Sequence, residues 1–223
     1  MSKQDNKTDT PQRILDAAEK LFAQQGFHGT STRRIATEAG ISIQTLHYHC
    51  ENKLNLYHMV LKRSVIPVTR MIDHHVQTML TRDIGDDRVL REYTDIIIDE
   101  LFNVMSENPN YAPLFLRQWL EQDSELRRVE QDELMPSIDE WVRQVEATVN
   151  GERRSGIDLP LVLLSLSWIY WGLHVSPQFI GALLGVDPES PEYRHRLKEH
   201  AKNITERMLG ARSPGAQRKR GKS

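Results

Sequence analysis

The chain has 223 residues, 39% hydrophobic and 27% charged, with a formal net charge of -2. That balance is ordinary for a globular protein, and the near-zero charge excludes nucleic-acid binding by the surface as a whole, so any such binding needs a local patch. The single cysteine, Cys50, excludes an internal disulfide, and the opening MSKQDNKTDTP is too polar for a signal peptide, so a reducing, cytoplasmic setting is expected.

Nearly every segment has helix periodicity. Thr10 is a good N-cap and Pro11 suits the first turn. Ile14, Leu15, Ala18, Leu21 and Phe22 then recur at helical spacing until Gly26 stops the run. A short helix is expected over 32–39, a break at Gly40, and a second helix over 43–50. A longer one starts near Asn52 and ends around Pro67. Amphipathic stretches follow at 68–81, 88–107, 111–122 and 125–149, with Pro136 expected to kink or split the last. The run 159–186 holds no charged residue. Its densely apolar part stops near Leu173, short of the roughly 20 residues of a membrane span, so a helix buried in protein is expected and no membrane contact. Ser190 and Pro191 open a final helix that runs to Gly210. The tail 211–223 carries five cations and no acid, so disorder is expected there. No alternating strand pattern and no internal repeat occur, and the fold class is all-α.

The stretch TRRIATEAGISIQTLHYH has the layout of a helix-turn-helix. Ile35, Ala36 and Ala39 line the inner face of its first helix, Gly40 permits the sharp turn, and Ile41 and Leu46 fill the space between the helices. Two histidines and the cysteine crowd residues 47–50, which raises the question of a metal. On a helix His47 and His49 lie about 160° apart. Leu46, His49 and Cys50 share the inward face, while Gln44, Thr45, His47 and Tyr48 share the outward one. Metal ligands must converge, and these do not, so no metal site is expected.

The outward face suits a DNA major groove. Gln44 can pair with an adenine edge and Thr45 can meet a thymine methyl or a phosphate. His47 and Tyr48 can donate to phosphates, which position without specifying sequence. Thr32 and Arg33 begin the preceding helix, where a hydroxyl, free N–H groups and a cation meet the DNA backbone. Lys53 is a further phosphate clamp.

Residues 10–57 resemble the DNA-binding domain of the TetR family of bacterial transcriptional regulators. The resemblance rests on ILDAAEKLFAQQGFHGTSTRRIATEAGIS, TLHYH and NKLNLY. It implies DNA contacts from Thr32, Arg33, Ser42, Ile43, Gln44, Thr45, His47, Tyr48 and Lys53. His47 stands where the family usually has tyrosine, and Cys50 where it usually has phenylalanine. The implied organisation is an N-terminal three-helix helix-turn-helix domain over 8–68, a larger C-terminal helical ligand-binding and dimerisation domain over 69–210, and the basic tail 211–223. The expected function is a ligand-responsive repressor that binds a palindromic double-stranded operator as a dimer and is released by a small-molecule effector.

The residues themselves support parts of that outline. The helix over 159–175 is too apolar to face water, so a homodimer through 159–175 and 191–209 is expected. Trp168 and Trp171 lie on one helix face with His174 one turn beyond and Tyr170 on a neighbouring stripe. Met105, Phe115 and Trp119 sit on other helices that can converge with them into an apolar effector pocket; core packing explains each residue equally well. No phosphate-cradling glycine loop, nucleophile elbow or zinc-protease motif occurs, so neither catalysis nor a cofactor is expected. A helical small-molecule or interaction protein without DNA binding would leave the helix-turn-helix unexplained.

Overall fold

The computed structural model describes residues 10–79, 86–121 and 158–210, with scattered positions between 123 and 146. Its described elements are helices: α1 (Thr10–Gly29), α2 (Thr32–Glu38), α3 (Ile43–Cys50), α4 (Lys53–Met79), α5 (Asp87–Glu107), α6 (Tyr111–Leu120), α7 (Leu159–Val175), α8 (Pro177–Leu184) and α9 (Pro191–Met208). The expected helix over 125–149 and the tail fall largely or wholly outside the described residues. Among the described residues, no helix is long and apolar enough to cross a membrane.

The chain divides into two compact units, residues 1–69 with 107–137, and residues 70–106 with 138–223. In the first, Ile14, Ala18, Leu21 and Phe22 of α1 meet Ile35, Leu46, Leu56 and Tyr57, all at most 2% exposed. Phe22 stands edge-on to Tyr57 at 4.9 Å between ring centroids, and Phe27 does so at 5.2 Å. Gly26 interrupts α1 with φ 73° and ψ 176°, a conformation that a side chain resists. The break turns the N–H of Phe27 to the Glu121 carboxylate, which accepts it at 2.9 Å. One turn back on α6, Arg117 Nε donates to the Ala23 carbonyl at 2.7 Å. Asn110 Nδ2 donates to Glu19 at 3.3 Å. These bonds seat α6 on α1.

Helix α4 departs from its expected end at Pro67 and continues to Met79. The ring removes one backbone donor, and side chains add bonds on either side of it. Ser64 Oγ donates to the Val60 carbonyl at 2.9 Å, and Thr69 Oγ1 to those of Val65 and Ile66. The two stretches expected to either side of Pro67 are therefore joined in one helix over Lys53–Met79.

The second unit centres on Ile98 and Phe102 of α5, Val162, Leu166 and Tyr170 of α7, and Tyr193, Leu197 and Ala201 of α9. Asp158 caps α7 by accepting from Leu161 N, and Ser190 caps α9 by accepting from Tyr193 N. Charged pairs border the core between α5 and α9: Lys198–Asp99 at 2.9 Å, Lys202–Asp95 at 3.3 Å and Arg91–Glu206 at 3.4 Å. The expected break after Val175 is present, and α8 follows it. Gly181 is required there, because a Cβ would lie 2.6 Å from the Pro188 ring and 2.8 Å from the Val186 carbonyl.

Candidate functional site

The helix-turn-helix is held in place by groups on both its helices and on α1. Ser31 caps α2 by accepting from Arg34 N at 3.2 Å. At the other end, Ile41 N donates to the Ala36 carbonyl at 2.9 Å across the turn, and Gly40 sits at φ 64°. The Arg13 guanidinium reaches over from α1 to the carbonyls of Ala39 and Gly40. Any side chain at Gly40 would meet that guanidinium at 2.7 Å. Ser31 and Arg13 carried no role in the sequence reading. A serine directly before a helix is a legible cap, whereas Arg13 is 26 residues from the carbonyl it holds.

Ser42 is the N-cap of α3. Its Oγ accepts from Thr45 N at 3.1 Å and lies 2.9 Å from Thr45 Oγ1. Both hydroxyls therefore help fix the first turn. Each keeps capacity for a further bond, since a hydroxyl has one donor and two acceptor sites. Beyond them the outward face is open. Gln44, His47 and Arg33 are exposed, Ile43 is 36% exposed, and Tyr48 is 85% exposed. His47 Nδ1 lies 3.3 Å from the Glu51 carbonyl, an arrangement in which Nδ1 donates and Nε2 is left to point elsewhere. Thr32 is half-buried at the start of α2.

Lys53 differs in its setting from the free clamp expected. Its ammonium donates to the carbonyls of Phe27 (3.0 Å) and Thr30 (3.1 Å) and stands 4.2 Å from the centre of the Phe27 ring. Two of its three donors thus hold the end of α1 against α4, and one is left for a phosphate.

On the inner side Leu46 and Cys50 are fully buried, while His49 is only half-buried, a correction to its expected interior position. Cys50 Sγ donates to the Leu46 carbonyl at 3.0 Å, and burial pushes its thiol pKa up. A metal needs thiolate, so this cysteine is poorly suited to be a ligand, and His47 faces away from it.

The candidate effector residues separate by unit. Phe115 is buried and Trp119 half-buried on α6 in the first unit. Met105, Trp168, Tyr170, Trp171 and His174 belong to the second. Tyr170 and His174 come together around Phe102, whose ring centroid is 6.4 Å from the Tyr170 ring and 5.0 Å from that of His174. The Tyr170 hydroxyl donates to Thr205 Oγ1 at 2.7 Å, and burial raises its pKa to about 12. That hydroxyl ties α7 to α9. Trp171 is buried 6.1 Å from Trp168, which is itself 49% exposed.

His174 Nδ1 donates to the Tyr170 carbonyl at 2.8 Å. Burial holds its pKa below the ordinary 6.5, opposed by that hydrogen bond and assisted by Arg194. As pH falls past 6.5 the unfolded chain therefore takes up the proton first. The stability tied to a neutral imidazole is present above that value and is lost as pH drops through the folded pKa. His174→Phe is expected to lose less thermal stability than the wild type between about pH 7 and about pH 5, read from melts followed by circular dichroism. Equal losses would show that the imidazole does not contribute.

Comparison with known proteins places this geometry. Residues 14–60 match the family model described as "Bacterial regulatory proteins, tetR family". Over 203 residues the chain is 23% identical to "Probable HTH-type transcriptional regulator YttP" of Bacillus subtilis (strain 168), covering 88% of this chain and 92% of that protein. It is 21% identical over 145 residues to "HTH-type transcriptional repressor AcnR" of Corynebacterium glutamicum, covering 65% and 74% respectively. The crystal structure of a TetR-like transcriptional regulator from Rhodococcus sp. RHA1 shares the fold with a TM-score of 0.59, at 18% identity over 90% of this chain and 96% of that one. Residues 14–60 therefore form a DNA-binding domain of the tetR family of bacterial regulatory proteins, in a chain that aligns with a transcriptional regulator over 92% of that protein's length.

Proposed function

We propose that the protein is a dimeric repressor that binds a palindromic operator and is released by a small-molecule effector. The observation that carries the reading is the outward face of α3. Gln44, His47 and Tyr48 are exposed together on a helix whose inner face, cap and flanking turn are fixed. Gln44 and Ile43 read base edges, while Thr32, Arg33, Ser42, Thr45, His47, Tyr48 and the remaining donor of Lys53 engage the backbone.

The dimer rests on α7 and α8. Leu161, Leu164, Trp168 and Val175 are 43–59% exposed at steps of three, four and seven residues, with exposed Gly172 between the last two. Phe179 and Leu183 on α8 are 68% and 74% exposed. A seam of this kind is suited to its own symmetry mate. The outward face of α9, with Arg194, His195, Glu199, His200 and Asn203 exposed, is polar and would form the rim. Two recognition helices then reach successive major grooves when about 34–36 Å apart, and an effector that favours another spacing lowers operator affinity.

The relative named a repressor in Corynebacterium glutamicum supports the direction of control. Transcription in vitro from a promoter overlapping the selected site is expected to fall when the protein is added. A rise would make the protein an activator.

A further inference from the structure

Helix α6 has one face bonded to α1 and a buried face beside it. Arg117 and Glu121 face α1 through the bonds to Ala23 and Phe27. Tyr111, Phe115 and Gln118 share a neighbouring stripe, turned from the first by about 100°, and all three are buried. The Tyr111 and Phe115 rings lie 4.7 Å apart between centroids. Gln118 is 5% exposed, and among the described residues neither its Nε2 nor its Oε1 has a hydrogen-bond partner. Buried polar side chains nearly always have partners. An amide with both ends unpaired is destabilising where a leucine of similar size would not be. Its presence calls for a partner that the described residues do not supply.

We propose that the Gln118 amide is the polar recognition group for the effector, and that the effector is a neutral amide or lactam with an apolar body. The inference rests on the ligand-responsive reading above and names the chemistry of its ligand. A carboxamide both donates and accepts, so a ligand amide can return both bonds as a reciprocal pair. Among the described residues the stripe itself carries no charged side chain, Arg117 and Glu121 being turned about 100° away from it. Arg117 Nε is bonded to the Ala23 carbonyl and the Glu121 carboxylate to Phe27 N, and burial keeps the Tyr111 phenol neutral by pushing its pKa far up. A carboxylate or an ammonium would be buried there without a counter-ion. The paired rings of Tyr111 and Phe115 provide a surface for a flat apolar body. Gln118 directly follows Arg117, so a ligand on the amide bears on the residue that fastens α6 to α1.

The test uses the full chain and benzamide as the probe, with benzoate and acetophenone at equal concentration as controls. Melting temperature and binding to the selected operator are both followed. Benzamide is expected to raise Tm by several degrees and to weaken operator binding, and both controls should do much less. Gln118→Leu and Gln118→Met are expected to bind operator normally, to melt at or above the wild type, and to need at least about tenfold more benzamide for any response. Three results would overturn the proposal: no benzamide response in a wild type that binds operator, an undiminished response in both variants, or both variants melting well below the wild type. A wild type that binds no operator would instead defeat the functional reading, and the Tm measurements would then decide the Gln118 site alone.

Discussion

Alanine at both Gln44 and Tyr48 is expected to abolish specific operator binding while leaving helix content, melting temperature and oligomeric state unchanged. Tyr48 is 85% exposed and Gln44 is exposed beside it, so neither truncation opens the core. A bidentate glutamine–adenine pair is worth about 1–3 kcal/mol of discrimination, or roughly 5–150-fold in affinity. In the proposed complex Tyr48 would add a phosphate bond that helps fix register. The double variant should retain weak, salt-sensitive binding to any duplex, because Arg33 and Lys53 are intact. Fluorescence anisotropy against operator and scrambled duplexes separates the two effects. An operator preference that survives the double change would mean that another face of the domain reads the sequence.

The second large effect concerns the apolar seam. Leu164→Glu and Trp168→Glu are each expected to convert the protein to monomer in light scattering at micromolar concentration. In the proposed dimer each change would bury a carboxylate in the apolar seam, at a cost of several kcal/mol, on the order of a 100-fold rise in the dimer dissociation constant. Both side chains are about half exposed in the single chain, at 47% and 49%. The folded monomer should therefore survive with its helix content intact. Operator affinity would fall with the dimer, because one half-site cannot supply the contacts of two. Dimers that persist in both variants would place the subunit contact elsewhere, with α9 the next surface to alter.

The two regions differed in how much their sequences disclosed. The helix-turn-helix was legible because its determinants are local. Ile35, Ala36 and Leu46 repeat at helical spacing, Gly40 marks the turn, and the ends of α2 and α3 fall within a residue of expectation. The outward set Gln44, His47 and Tyr48 followed from the same angular arithmetic. Helix α7 was legible for a similar reason, since the expected apolar helix over 159–175 matches Leu159–Val175.

Non-local contacts were hidden. Pro67 signals a helix end by local rules, yet α4 continues past it, with the hydroxyls of Ser64 and Thr69 bonded alongside. The attachment of α6 to α1 depends on Arg117 and Glu121 meeting groups 94 residues away. Lys53 reads as a free surface cation, but the carbonyls it holds become visible only when α1 and α4 meet. For the aromatic residues, spacing placed Trp168 and Trp171 near each other but gave no sign that one is exposed and the other buried. The unpaired amide of Gln118 was invisible, because a glutamine in a helix is ordinarily a solvated side chain.

The central claim is that two copies of α3 read a symmetric duplex site. Selection of binding sites from a random duplex library by the purified full chain tests it most directly. Enrichment of an inverted repeat with half-site centres about one helical turn apart is the expected result. Enrichment of a single asymmetric site, or no enrichment at low salt even after refolding the protein free of bound ligand, would contradict it.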